Sequence, residues 1–243
     1  MPTTDAIVRE RVNLATEGAR SFDALCARPR DGRGVGIILL HDMFGPSRVF
    51  EELTEEYAAK GYCVLLPNLF WRHEGPAVIG YDGHAVAGPR EAAFDDDQAA
   101  LDLRIAADFL RAHPTCIGKV VVWGFCFSGR LAFLVAARNR IDAAISFYAL
   151  GISRYLREIG DVTCPLQIHY GAKDPLVPPT ETTPVTSAAG ERANIAVRFH
   201  ASAGHSFFNK VRPTYDPQAS QAAAETVERL LAEVGGAPGY QRR

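Results

Sequence analysis

"VVVWGFCFSGRLAFLVAA", Val120–Ala137, begins as a β-strand, bends at glycine and goes on as a helix. Three valines and a tryptophan make an apolar strand; Phe127 onward carries a helical apolar stripe. Gly124 stands two residues before Cys126 and Gly129 three after it. Small residues let such a bend form without a Cβ clash. The pattern G-x-C-x-S-G is close to the G-x-S-x-G elbow, a strained strand-to-helix turn that exposes a nucleophile. A thiol at the start of a helix faces amides and the positive end of the helix dipole, which favours the thiolate. The amide of Phe127 would point at the same space and could hold an oxyanion. Against this stands the fact that a free cysteine is among the most commonly buried residues. Partners elsewhere in the chain decide between the two.

Outward from this unit, apolar runs alternate with amphipathic ones. Residues 34–40, 63–69, 119–124, 142–148, 165–170 and 194–200 read as strands, and 48–60, 95–112, 127–138 and 217–234 as helices. Residues 21–29 alternate as an early antiparallel strand. Alternating strands and helices predict an α/β class, with a mostly parallel central sheet and helices on both faces. Residues 71–94 are rich in glycine and proline and read as an irregular excursion over one face of the sheet. The tail 235–243 reads as frayed. The 243 residues suit a single domain, with an ordered core over about 20–234.

Hydrophobic residues are 47% of the chain, charged residues 22%, and the net charge is −2. That composition predicts a globular protein and gives no basic patch for nucleic acid or an anionic membrane. No apolar run is long enough to span a bilayer, and the first 18 residues have no signal-peptide core. The five cysteines include no C-x-x-C, so neither a disulfide framework nor a metal site is expected. A cytoplasmic protein without cofactor, monomeric or a small homo-oligomer, is the expectation.

A nucleophile on such an elbow needs an acid and then a histidine downstream. In "IHYGAKDPLVP", Asp174 follows a strand end, where parallel sheets assemble their sites. Asp is also a common turn residue before proline. In "RFHASAGHSFFN", His205 follows the last strand on a loop of small residues and is the candidate base. His169 and His200 fall within strands and read as core or partly buried.

Taken together, "HDMFG" (41–45), "GFCFSG" (124–129), "GAKDPLVP" (171–178) and "AGHSFFN" (203–209) resemble the dienelactone hydrolase family of α/β-hydrolases. The resemblance runs from about residue 20 to residue 234. It implies an α/β-hydrolase fold and a Cys126–His205–Asp174 triad that cleaves an ester or enol-lactone. It implies a carboxylate that accepts the thiol proton when substrate arrives; this falls on Asp42, where glutamate is usual. Met43 would give the second oxyanion amide. The substrate carboxylate would meet Arg90, in "REAAF" with Phe94 at the aromatic position. A second arginine of the family falls on Asn209, which lacks the charge. Trp71 and Tyr148, with Phe125, Phe127, Phe207 and Phe208, could line an apolar pocket. Two rival readings are a general carboxylesterase or thioesterase, and a non-catalytic scaffold with a redox-sensitive thiol.

Overall fold

A computed structural model describes residues 6–236. The strands are β1 (Ile7–Glu17), β2 (Arg20–Pro29), β3 (Gly34–Leu40), β4 (Cys63–Pro67), β5 (Cys116–Phe125), β6 (Ala143–Phe147), β7 (Leu166–Gly171) and β8 (Ile195–His200). The helices are α1 (Arg48–Ala59), α2 (His84–Ala92), α3 (Asp96–Ala112), α4 (Phe127–Arg138), α5 (Pro179–Gly190) and α6 (Pro217–Val234). The chain divides into two compact units, Met1–Val120 and Val121–Arg243, with the boundary inside β5.

In the first unit the strand order is β1-β2-β4-β3. β1 pairs antiparallel with β2, β2 antiparallel with β4, and β3 parallel with β4. All but one residue of β3 and every residue of β4 are buried. Consecutive burial means that both faces of these strands are covered, as a parallel sheet requires. Helix α1 packs on β2 and β4, and α3 on β3 and β4. Asp95 caps α3 by accepting the Gln98 amide at 2.9 Å.

Two elements here differ from the sequence reading. β1 precedes residue 20, the expected start of order. Its sequence "IVRERVNLATE" buries no residue fully, so hydrophobic alternation could not reveal it. Pairing with β2 over Ile7↔Pro29 to Glu17↔Arg20 makes it a strand, and Arg11 reaches Glu51 of α1 at 3.0 Å. Within 71–94, α2 forms despite Gly88 and Pro89, with Ala87 fully buried. The rest of that segment is irregular, as expected.

In the second unit the order is β5-β6-β7-β8, parallel throughout. β6 is wholly buried, and α4 and α6 pack on it. α5 packs on β8 and on a 3-10 stretch, Ile152–Asp161. The sequence reading had no helix at α5: "PTETTPVTSAAG" opens on proline, contains a second one and has a weak apolar stripe. α4 and α6 keep the bounds read from the sequence. Most of the tail 235–243 lies outside the described residues.

Candidate active site

The bend at Cys126 can be built from its neighbours. Cys126 has φ 58° and ψ −125°, a conformation that costs a non-glycine residue about 1–3 kcal/mol. Contacts on every side hold it there. Its amide donates to the Phe147 carbonyl at 3.0 Å, and its carbonyl accepts the Gly129 amide at 2.9 Å. Ser128 Oγ accepts the Phe125 amide and donates to the Phe125 carbonyl, both at 2.9 Å, closing the turn from inside. A Cβ on Gly124 would lie 2.1 Å from the Ser128 carbonyl oxygen, and one on Gly129 would lie 2.7 Å from Ala149 Cβ. The two glycines are therefore required by close approach. Cys126 is 5% exposed and caps α4, the helix that starts with Phe127. Phe127, as the first helical residue, carries one of the amides that a helix does not engage within itself.

Asp174 follows the end of β7. Its Oδ1 accepts the Leu176 amide at 2.8 Å and its Oδ2 lies 2.7 Å from His205 Nδ1. His205 sits on the loop after β8, which is tied to the loop after β7: Lys173 donates to the Ala203 carbonyl at 2.9 Å, and Ala172 to the His200 carbonyl at 2.9 Å. A Cβ on Gly171 would come within 2.5 Å of the Ala203 oxygen, so glycine permits this approach. The other ring nitrogen of His205, Nε2, lies 3.3 Å from Cys126 Sγ. Three residues remote in sequence thus form one hydrogen-bonded line, sulfur to imidazole to carboxylate. The Asp174 side chain is fully buried and that of His205 is 12% exposed.

Burial alone pulls the His205 imidazolium down. The hydrogen bonds to Asp174 and Cys126, and the negative charge both can carry, outweigh burial and raise it to about 10. Strain also gathers here. Among the described residues, the non-glycine positions with positive φ are Cys126, Tyr148 and Ser206. Tyr148 sets its ring edge-on to His205, with centroids 5.1 Å apart, and Ser206 adjoins His205. The "GAKD" glycine and the "CFSG" serine are the sequence signals for the supporting contacts of Gly171 and Ser128.

The remaining candidates have these surroundings. Asn209 is buried; its side-chain oxygen accepts the Val211 amide at 3.2 Å and its backbone N–H donates to the Ser206 carbonyl at 2.9 Å, so it shapes the His205 loop. Phe125, Phe127 and Phe207 are core. His169 is fully buried and pairs with His200 at 3.1 Å, in keeping with a core position. In the first unit, Asp42 accepts the Phe44 amide at 2.9 Å, a turn-capping contact. Arg90 is buried, lies over the Phe70 ring, and donates to the carbonyls of Pro76 and Met43 at 2.9 and 3.0 Å. Both ends of its fork are thus engaged on backbone. Phe94 stacks on His73. Trp71 donates to Asp102 at 2.9 Å and stacks on Phe22, a structural position.

A thiol on a strained elbow, followed in chain order by an acid and a histidine within bonding distance, defines the α/β-hydrolase class. Solved structures agree on the fold. A dienelactone hydrolase-like promiscuous phosphotriesterase from metagenomic libraries superposes with a TM-score of 0.82 at 22% identity, over 94% of this chain and 99% of that one. A dienelactone hydrolase from Anabaena variabilis gives 0.69 at 15% identity, over 94% and 98%. The model of the dienelactone hydrolase family matches residues 22–235, and the chain belongs to that family. Curated relatives include a carboxymethylenebutenolidase of Pseudomonas sp. strain P51, 30% identical over 92% of this chain and 95% of that protein. Another, from Pseudomonas putida, is 29% identical over 93% and 95%. The protein is accordingly an enzyme that hydrolyses an ester or enol-lactone, a small-molecule substrate. Among the described residues no helix is long and apolar enough to cross a membrane.

Proposed function

We propose that the hydrolysis runs through Cys126 as nucleophile, His205 as proton carrier and Asp174 as its anchor. The observation that carries this reading is the line Sγ–Nε2 at 3.3 Å and Nδ1–Oδ2 at 2.7 Å. The Cys126 thiolate attacks the carbonyl carbon, and the oxyanion forms where the Phe127 amide points. The C–O bond then breaks, His205 gives its proton to the departing oxygen, and an acyl thioester remains. Water adds to the thioester, yielding a proton to neutral His205, and the thiolate is released with the acid product. Asp174 holds Nδ1–H and stabilises the imidazolium throughout. With an enol-lactone the departing enolate stays attached to the acyl group, and where it leaves unprotonated it takes the water proton itself, in place of His205. The raised pKa of His205, about 10, supports a histidine that keeps its transferable proton at neutral pH.

The names of the Pseudomonas relatives make a carboxymethylenebutenolide the first substrate to test. A specific observation favours a second reading, a less acidic ester: the Arg90 fork is engaged on two carbonyls, and residue 209 is a neutral asparagine. The five free, buried cysteines support a reducing compartment such as the cytoplasm. Turnover of a dienelactone and of p-nitrophenyl acetate, by wild type and by Cys126→Ala and His205→Ala, tests the proposal. Loss of both activities in both variants is expected. Full turnover by folded Cys126→Ala contradicts it.

A further inference from the structure

The first unit gathers a second set of reactive side chains, drawn from four separate segments. Glu10 of β1, Cys26 of β2 and His113, just after α3, each place one potential ligand atom within 4.8 Å of the other two. Cys63, the first residue of β4, joins them: its thiol is a hydrogen-bond partner of the Cys26 thiol and lies 3.8 Å from His113 Nδ1. Cys26 and Cys63 are both fully buried. The His113 ring is positioned by Thr115, whose Oγ1 and amide lie 2.9 and 3.3 Å from Nδ1, contacts that a metal bound at Nδ1 would replace.

We propose that Cys26, Cys63, His113 and Glu10 bind a divalent metal of the zinc class in a closed structural site. Two sulfurs, an imidazole and a carboxylate are the donor set that borderline-soft zinc takes up. Ligand atoms around tetrahedral zinc stand roughly 3.3–3.8 Å apart, from bond lengths of about 2.0–2.3 Å. The separations within 4.8 Å among Glu10, Cys26 and His113, and of 3.8 Å from Cys63 to His113, lie near this range. Charge is also balanced. Two thiolates and a carboxylate oppose the metal and the guanidinium of Arg28, whose Nε lies 3.3 Å from Glu10 Oε1. The site would tie the β1–β2 hairpin to β4 and to the turn before β5. The cysteine spacing conceals it, because no two of its ligands are close in sequence.

The test uses the full chain carrying Cys126→Ala, which keeps the other reactive thiol from binding metal. After chelation, Co2+ is titrated while its absorption is followed, and Zn2+ is then added. The expected result is one equivalent of tetrahedral cobalt with thiolate-to-metal charge-transfer bands, displaced by zinc, and a higher melting temperature with zinc. Cys63→Ser should weaken the charge-transfer bands. Glu10→Gln, on a partly exposed strand position, leaves the fold intact and should still weaken zinc binding roughly tenfold or more; His113→Gln should do the same. Absence of the cobalt bands overturns the proposal. So do bands unaffected by both Glu10→Gln and His113→Gln, or isolation of Cys26 and Cys63 as a disulfide.

Discussion

The protonation of His205 depends on the Cys126 sulfur as well as on Asp174. Two of the influences that raise His205 come from the sulfur. Cys126→Ala should therefore lower the His205 pKa from about 10 toward its ordinary value, which ring-proton NMR titration would read. Asp174→Asn removes the other raising partner and the anchor of the ring. A loss of kcat on the order of 10³–10⁴-fold is expected, by analogy with the loss seen when a triad carboxylate becomes an amide. Retention of more than a tenth of wild-type kcat in Asp174→Asn would show that the ring needs no anchor. The sulfur–imidazole–carboxylate line was legible in the sequence because a cysteine on the elbow, an acid and a histidine follow loop and strand boundaries in a fixed order. Their distances were not legible, since the chain folds back twice to create them.

Elements position the site through close backbone approaches. Gly171 lets the end of β7 approach the loop that carries His205. Gly171→Ala should displace that loop, lower the melting temperature and lower kcat more than it raises KM; steady-state kinetics and thermal melts read the two effects. Ser128 braces the elbow with two hydrogen bonds to Phe125. Ser128→Ala removes both bonds and should cost about 1–3 kcal/mol in denaturant unfolding. The strand–turn–helix unit could be read from the sequence because its glycines and apolar runs are local signals. β1 and α5 could not. β1 owes its form to pairing with β2, and α5 carries prolines and a weak apolar stripe that only packing on β8 overrides.

For the whole molecule, the His205 shift is also a statement about stability. Its folded pKa, about 10, lies above the unfolded value of 6.5. Between these values the native state holds a proton that the unfolded chain has released, so stability falls as pH rises through that window. The contribution is complete below pH 6.5 and gone above about 10. Melting temperatures from pH 6 to 10.5 should fall more steeply for wild type than for Asp174→Asn. Parallel curves would mean that the ion pair does not form. The fold class was legible because strands buried on both faces read as continuous apolar runs. The Glu10–Cys26–Cys63–His113 cluster was not, since it is brought together only by strand pairing and by the turn after α3.

The most direct test of the account is the mass of the enzyme during turnover of a slow aryl ester. Rapid acid quench, proteolysis and mass spectrometry should find one acyl group as a thioester on the peptide carrying Cys126, and none in Cys126→Ala. An acyl group on any other residue, or continued turnover by Cys126→Ala, would contradict it.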